Sequence, residues 1–212
     1  MGTSEAAFAD LAGSLADVGR RCYARGWALG SSGNFSAVVS RDPLRLAITP
    51  SGVDKGLLTA DQIVQIDEHG HVVVGSGIAS AEASLHLTIV RVRQACAVLH
   101  THSLWSTLLS DAGAPDGGLG IEGYEMLKGL EGVHTHQHRE WLPILDNSQD
   151  WPAQTPLVER MLRQHGDAHG LLLRGHGLYT WGRDLTAASR HLEILEFLLE
   201  VTGRKRGIPW QP

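Results

Sequence analysis

Cysteine is scarce in this sequence: Cys22 and Cys96 are its two examples, each set in an apolar pattern and far from the other. A disulfide framework is therefore excluded, and the pair reads as buried free thiols of a reducing compartment. Basic residues are outnumbered as well. Lys and Arg total 18 against 23 Asp and Glu, a formal net charge of −5, which argues against a nucleic-acid partner. No apolar run approaches the roughly 20 residues of a membrane span. The N-terminus lacks the charged-then-apolar order of a secretory signal. Ala6 stands where a myristoylation pattern needs Ser or Thr. These absences predict a cytoplasmic protein with no membrane partner. Internal repeats, low-complexity segments and linkers are also missing, so residues 1–212 are expected to form one domain.

Histidine, by contrast, is abundant, with 12 in 212 residues, and it is a reason to look for a metal. The chain is organised around Ala95–Ser103, an apolar strand-like run that ends in His100-Thr101-His102. Side chains alternate along a strand, so His100 and His102 project to one side. Zinc takes neutral imidazole nitrogen, and a catalytic site needs three protein ligands and one open position. His176 is the natural third ligand, because it too follows an apolar strand and is flanked by Gly175 and Gly177. A competing set, His134, His136 and His138, also alternates and is a candidate for a structural metal or for a plain polar loop.

Around this centre the pattern alternates helices and strands. Apolar spacings of three and four predict helices over about Glu5–Arg25, over the residues after Ser80 up to Arg93, over Leu104–Leu109, over Glu122–Leu130, from Thr155-Pro156 to Gln164, and from Leu185 to a stop at Gly203. Strands are expected at Phe35–Val39, Leu46–Thr49, Ile63–Asp67, His71–Val74, in the histidine stretch Ala95–Ser103, and at Trp141–Leu145, Gly170–Arg174 and Leu178–Trp181. Asp111–Gly120 reads as a mobile glycine-rich loop and Arg204–Pro212 as a tail. The fold class predicted is α/β: a central, mainly antiparallel sheet flanked by helices.

Two loops of small polar residues, Ser31–Asn34 and Ser51-Gly52, suit an anion through converging main-chain N–H groups and serine hydroxyls. Neither is a P-loop or a dinucleotide fingerprint. Ser80, read as a helix N-cap, is a third candidate phosphate contact. Of the carboxylates, Glu82 opens the helix before the histidine strand and Glu125 lies soon after it; chemistry alone does not separate Glu125 from Glu122.

Taken together, Ser31-Ser-Gly-Asn-Phe-Ser36, Thr49-Pro-Ser-Gly52, Ser80-Ala-Glu82 with His86, His100-Thr-His-Ser103 and Arg174-Gly-His-Gly177 resemble the class II aldolase/adducin-like family over nearly the whole chain. Glu125-Met-Leu-Lys-Gly129 and Pro143-Ile-Leu-Asp-Asn147 resemble the branch of that family that dehydrates 5-methylthioribulose 1-phosphate in methionine salvage. The resemblance implies an αβα fold and a homotetramer of fourfold symmetry with active sites near subunit interfaces. It implies zinc on His100, His102 and His176, and phosphate contacts at Gly33, Asn34, Ser51, Gly52 and Ser80, with Ala81 replacing a serine of the sugar-phosphate aldolases. It assigns the catalytic acid/base to Glu125, while Glu82 takes the place of the aldolases' carboxylate. The substrate implied is a small phosphorylated ketose. The alternative in the same family is a sugar-phosphate aldolase or epimerase of the fuculose or ribulose phosphate type. A non-catalytic adducin-like module is a more distant one, which retention of all three histidines argues against.

Overall fold

The computed structural model describes residues 2–207. Helix α1 (Gly2–Ala24) leads into strands β1 (Asn34–Arg41) and β2 (Leu44–Ile48), then β3 (Val64–Ile66) and β4 (Val72–Val74). Helix α2 (Ala83–Arg93), strand β5 (Ala97–Thr101) and helix α3 (Leu104–Gly113) follow. The remainder is β6 (Gly118–Glu122), β7 (Arg139–Leu145), α4 (Trp151–Gln164), β8 (Gly170–Leu173), β9 (Gly177–Gly182) and α5 (Leu185–Gly207). Nine strands make one sheet in the order β4-β3-β2-β1-β5-β9-β8-β7-β6. All neighbours are antiparallel except β7 and β8, as the mainly antiparallel expectation requires.

The sheet is covered on both faces. Alternation along β5 sends Ala97 and Leu99 into one core with Leu15 and Val18 of α1, Leu109 of α3 and Leu195 of α5. Val98 goes into the other, with Leu85 and Ile89 of α2 and Val158 and Leu162 of α4. Each such fully buried aliphatic side chain contributes about 1.5–3 kcal/mol, so β5 is held by packing on both of its faces. The register matters most for function. His100 pairs with Asn34 of β1 on one side and with Tyr179 of β9 on the other. No helix is long and apolar enough to cross a membrane among the described residues.

Several local expectations are corrected. The segment 122–130 is not one helix: Glu122 pairs with Arg139 in the β6–β7 ladder, Gly123 turns the chain at φ +82°, and Glu125–Gly129 is a 3-10 turn. Much of the expected mobile loop 111–120 is ordered as the end of α3, a short 3-10 turn and β6. Its glycines serve packing, since a Cβ on Gly118 would lie 2.3 Å from the Trp141 ring. Gly203 does not stop α5; a Cβ there would lie 2.1 Å from the Trp105 ring, so the glycine lets α3 and α5 approach. The last residues of the expected tail, 208–212, lie outside the described residues. Helix α4 begins at Trp151, capped by Asp150, whose carboxylate accepts from Ala153 N at 3.1 Å, and it carries Pro156 inside. Ser80 is not an N-cap, for Glu82 holds that position in α2.

Candidate metal centre

Extended backbone through the end of β5 keeps His100 and His102 on one side, with their Nε2 atoms 2.7 Å apart. The tight turn between β8 and β9 brings in His176, whose Nε2 lies 2.9 Å from that of His102 and 3.3 Å from that of His100. Two glycines make this possible. Gly175 adopts φ +61°, and a Cβ on Gly177 would lie 2.0 Å from the Thr101 carbonyl oxygen.

The tautomers follow from the outer nitrogens. His100 Nδ1–H donates to the Leu178 carbonyl at 3.0 Å, and His176 Nδ1–H donates to Asn147 Oδ1 at 3.1 Å. Their Nε2 lone pairs therefore face inward, towards His102 Nε2. Lone pairs aimed at one point repel unless a cation sits among them, and outer donors that fix ring orientation are the usual support of metal-ligating histidines. The donor set thus fits a metal ion. Among the described residues this is the one group of three or more such side chains close enough to hold one.

Protonation agrees. Burial, then the neighbouring His102 and His176, push His100 well below the ordinary histidine value. Burial, then His176 and Lys55, lower His102 to about 4. Burial also lowers His176, against the opposing charge of Glu82. All three are neutral near pH 7, the form a metal needs.

Glu82 adds a carboxylate at the same point. Its Oε2 is 3.4 Å from His100 Nε2 and its Oε1 is 3.5 Å from His176 Nε2. Asn34 Nδ2 donates to Glu82 Oε2 at 2.6 Å and to Ser80 Oγ at 3.1 Å. Asn34 is itself oriented by His86, whose Nε2–H donates to Asn34 Oδ1 while Ser36 Oγ donates to His86 Nδ1 at 2.7 Å. Burial lowers His86 to about 3, so this chain of hydrogen bonds runs through a neutral imidazole. Tyr179 backs the centre, its ring stacked on His100 at 3.9 Å.

A cavity of about 300 Å³ opens beside the histidines. Gly33, Asn34, Ser51, Gly52 and Ser80, the five expected phosphate contacts, line it together with Glu82, His102 and His176. Lys55 holds its two small loops together from below: 1% exposed, it donates from Nζ to Ser31 O at 3.1 Å and to Val53 O at 3.0 Å. Burial lowers Lys55 to about 8.

Glu125 is not brought into this cavity. It lies on the 3-10 turn after β6, its side chain 71% exposed, paired with Lys128 at 2.5 Å and 3.7 Å from His136 Nδ1. The hydrogen bond and charge of Lys128 hold its carboxyl below the usual range. Glu122 is exposed at the end of β6. His134, His136 and His138 lie in a loop and do not converge; His138 Nε2–H instead donates to Glu140 at 2.9 Å. Asn147, Lys55 and Tyr179 escaped the sequence reading of the site. Asn147 carried a signal in the Pro143–Asn147 motif, whereas the other two are placed by packing and register alone.

Comparison with known proteins agrees with this geometry. The Class II Aldolase and Adducin N-terminal domain family matches residues 13–202. The chain is 41% identical over 194 residues to the methylthioribulose-1-phosphate dehydratase of Marinobacter nauticus, covering 91% of this chain and 92% of the relative. It is 41% identical over 202 residues to the enzyme of the same name from Methylococcus capsulatus, covering 95% and 97%. Among solved structures, L-fuculose-1-phosphate aldolase from Thermus thermophilus superposes with TM-score 0.73 at 23% identity, over 93% of this chain and 96% of that one. The L-fuculose 1-phosphate aldolase of Glaciozyma antarctica gives TM-score 0.75 at 20% identity, over 95% and 75%. With three convergent histidines, an anion-suited cavity beside them and a family match over most of its length, the chain belongs to the class II aldolase and adducin family.

Proposed function

We propose that the chain is a zinc-dependent dehydratase that converts 5-methylthioribulose 1-phosphate into 2,3-diketo-5-methylthiopentyl 1-phosphate and water, a step of methionine salvage. The observation that carries this reading is the inward-facing His100, His102 and His176 beside an anion-suited cavity, in a chain about 40% identical to dehydratases of that name over nearly its whole length. Zinc held by the three histidines would supply Lewis acidity to the ketose oxygens.

The chain's own residues supply the rest. Main-chain N–H groups of Gly33 and Gly52 and the side chains of Asn34, Ser51 and Ser80 hold the phosphate and so fix the sugar's register. Glu125 removes the C3 proton and, as the protonated carboxyl, gives it to the departing C4 hydroxyl, which leaves as water. The enol that remains tautomerises to the diketone. Glu125 stands outside the cavity of its own chain, so this reading supplies it from a neighbouring copy in a homotetramer with sites at the subunit interfaces.

A second reading has one observation in its favour. Glu82, not Glu125, touches the histidine cluster, and a carboxylate there serves an aldolase that breaks the C3–C4 bond. Exchange of the C3 proton with deuterated solvent separates the two. Loss of exchange in Glu125→Gln with metal retained supports the dehydratase. Normal exchange in that variant, with cleavage of the C3–C4 bond that is lost in Glu82→Gln at saturating zinc, supports the aldolase.

A further inference from the structure

At the end of β5 and β9 opposite the histidine centre lies a second group of titratable side chains, which the proposed reaction does not use. Glu140 of β7 is 1% exposed and accepts three hydrogen bonds: from His169 N at 2.8 Å, His169 Nδ1 at 3.0 Å and His138 Nε2 at 2.9 Å. The other nitrogen of His169, Nε2, lies 2.8 Å from the Glu131 carbonyl oxygen. Both ring nitrogens of His169 thus face acceptors, a carboxylate and a carbonyl. Each must carry a hydrogen, so the ring is an imidazolium.

His191 does the opposite. Its Nδ1–H donates to the Trp181 carbonyl at 2.8 Å, and its Nε2 accepts from Glu131 N at 3.1 Å, which requires the neutral ring. The Glu131 backbone is therefore gripped on its N–H by one histidine and on its C=O by another. Glu131 directly follows Leu130, the residue that caps the Glu125–Gly129 turn, and Leu127 and Leu130 are buried against the helix layer.

We infer that His169, held as an imidazolium by Glu140, is a positioning residue that fixes the Glu125-bearing segment to the sheet. The bond to Glu131 exists only while Nε2 carries its proton. Deprotonation would set a lone pair against the carbonyl oxygen and free the segment on that side. Other charged groups bear on the ring. Arg93 opposes its charge, but its guanidinium is committed to the carbonyls of Leu162, His165 and Ala168 and stacks on Trp181. Asp167 and Arg183 line a second cavity, at this end of the sheet, together with His138, His169 and His191, and Arg183 pairs with the Glu131 side chain at 3.2 Å. Burial alone would pull His169 down; the hydrogen bond and charge of Glu140 outweigh it and raise it above the ordinary value.

The catalytic consequence rests on the reading of Glu125 as acid/base, and the test separates the two. Backbone amide exchange is followed by mass spectrometry in the zinc-loaded protein from pH 6 to 10, corrected for intrinsic exchange. In the wild type, protection at residues 125–138 falls as pH rises through the titration of His169, while β5 amides keep theirs. In Glu140→Gln that fall moves to lower pH, and His169→Asn shows at least about tenfold faster exchange there at every pH. In both variants kcat drops about tenfold with KM and bound zinc unchanged, and the alkaline limb of the kcat profile shifts down in Glu140→Gln. Unchanged exchange at residues 125–138 across pH in the wild type would overturn the inference, whether or not the variants fold. Altered exchange with wild-type kcat would leave the clamp standing and remove Glu125 from the chemistry.

Discussion

The carboxylate of Glu82 shares the focal point of His100: Oε2 lies 3.4 Å from Nε2, and Asn34 holds it there at 2.6 Å. A carboxylate fixed this close to a cation raises its affinity by charge and by orientation. Glu82→Gln is expected to weaken zinc binding about 10–100-fold, the range typical of groups that support metal ligands. Competition with a chelator measures it.

Replacing His100, His102 or His176 by Ala removes one of three inward nitrogens. Bound zinc should fall to a small fraction of stoichiometric, and turnover should be lost with it. Metal analysis of the purified variants decides. Full occupancy in all three would remove the metal from this centre.

The cavity beside the histidines predicts dependence on the phosphate. A substrate lacking it forfeits at least two charge-assisted hydrogen bonds, at about 1.5–3 kcal/mol each. Its KM should therefore rise at least about 100-fold. Equal KM for the two compounds would remove the phosphate role of Gly33, Asn34, Ser51, Gly52 and Ser80.

Behind β5, Glu196 of α5 is buried and bonded to Thr101 Oγ1 at 2.5 Å. Burial, opposed by hydrogen bonds from Ser103 and Thr101, raises its carboxyl to about 7 from a usual 4.5. The folded state thus holds this proton more tightly than the unfolded chain. Its stabilising effect is complete below pH 4.5 and is lost as pH rises to 7, a change of about 3 kcal/mol. Glu196→Gln should flatten that slope and be more stable than the wild type at pH 8. Denaturant unfolding at pH 5 and pH 8 checks both.

The sequence disclosed the three convergent histidines because two physical rules reach that far. Alternation on a strand pairs His100 with His102, and a histidine between glycines after an apolar run marked His176. Element types were legible where periodicity was strong, as in α1, α2 and β5. They failed where glycines served packing rather than termination, at Gly118 and Gly203, whose neighbours Trp141 and Trp105 come from distant sequence. The register that sets Asn34 and Tyr179 on either side of His100 is a tertiary fact with no local signal. Glu125 shows the limit of resemblance: its motif names a role, while its own chain leaves it outside the cavity.

Product identity tests the central claim most directly. The zinc-loaded protein is incubated with 5-methylthioribulose 1-phosphate and the mixture analysed by mass spectrometry. Dehydration predicts one phosphorylated diketone, lighter than the substrate by one water, and no product without metal. Breaking of the C3–C4 bond would give dihydroxyacetone phosphate and methylthioacetaldehyde instead, and that result would contradict the account.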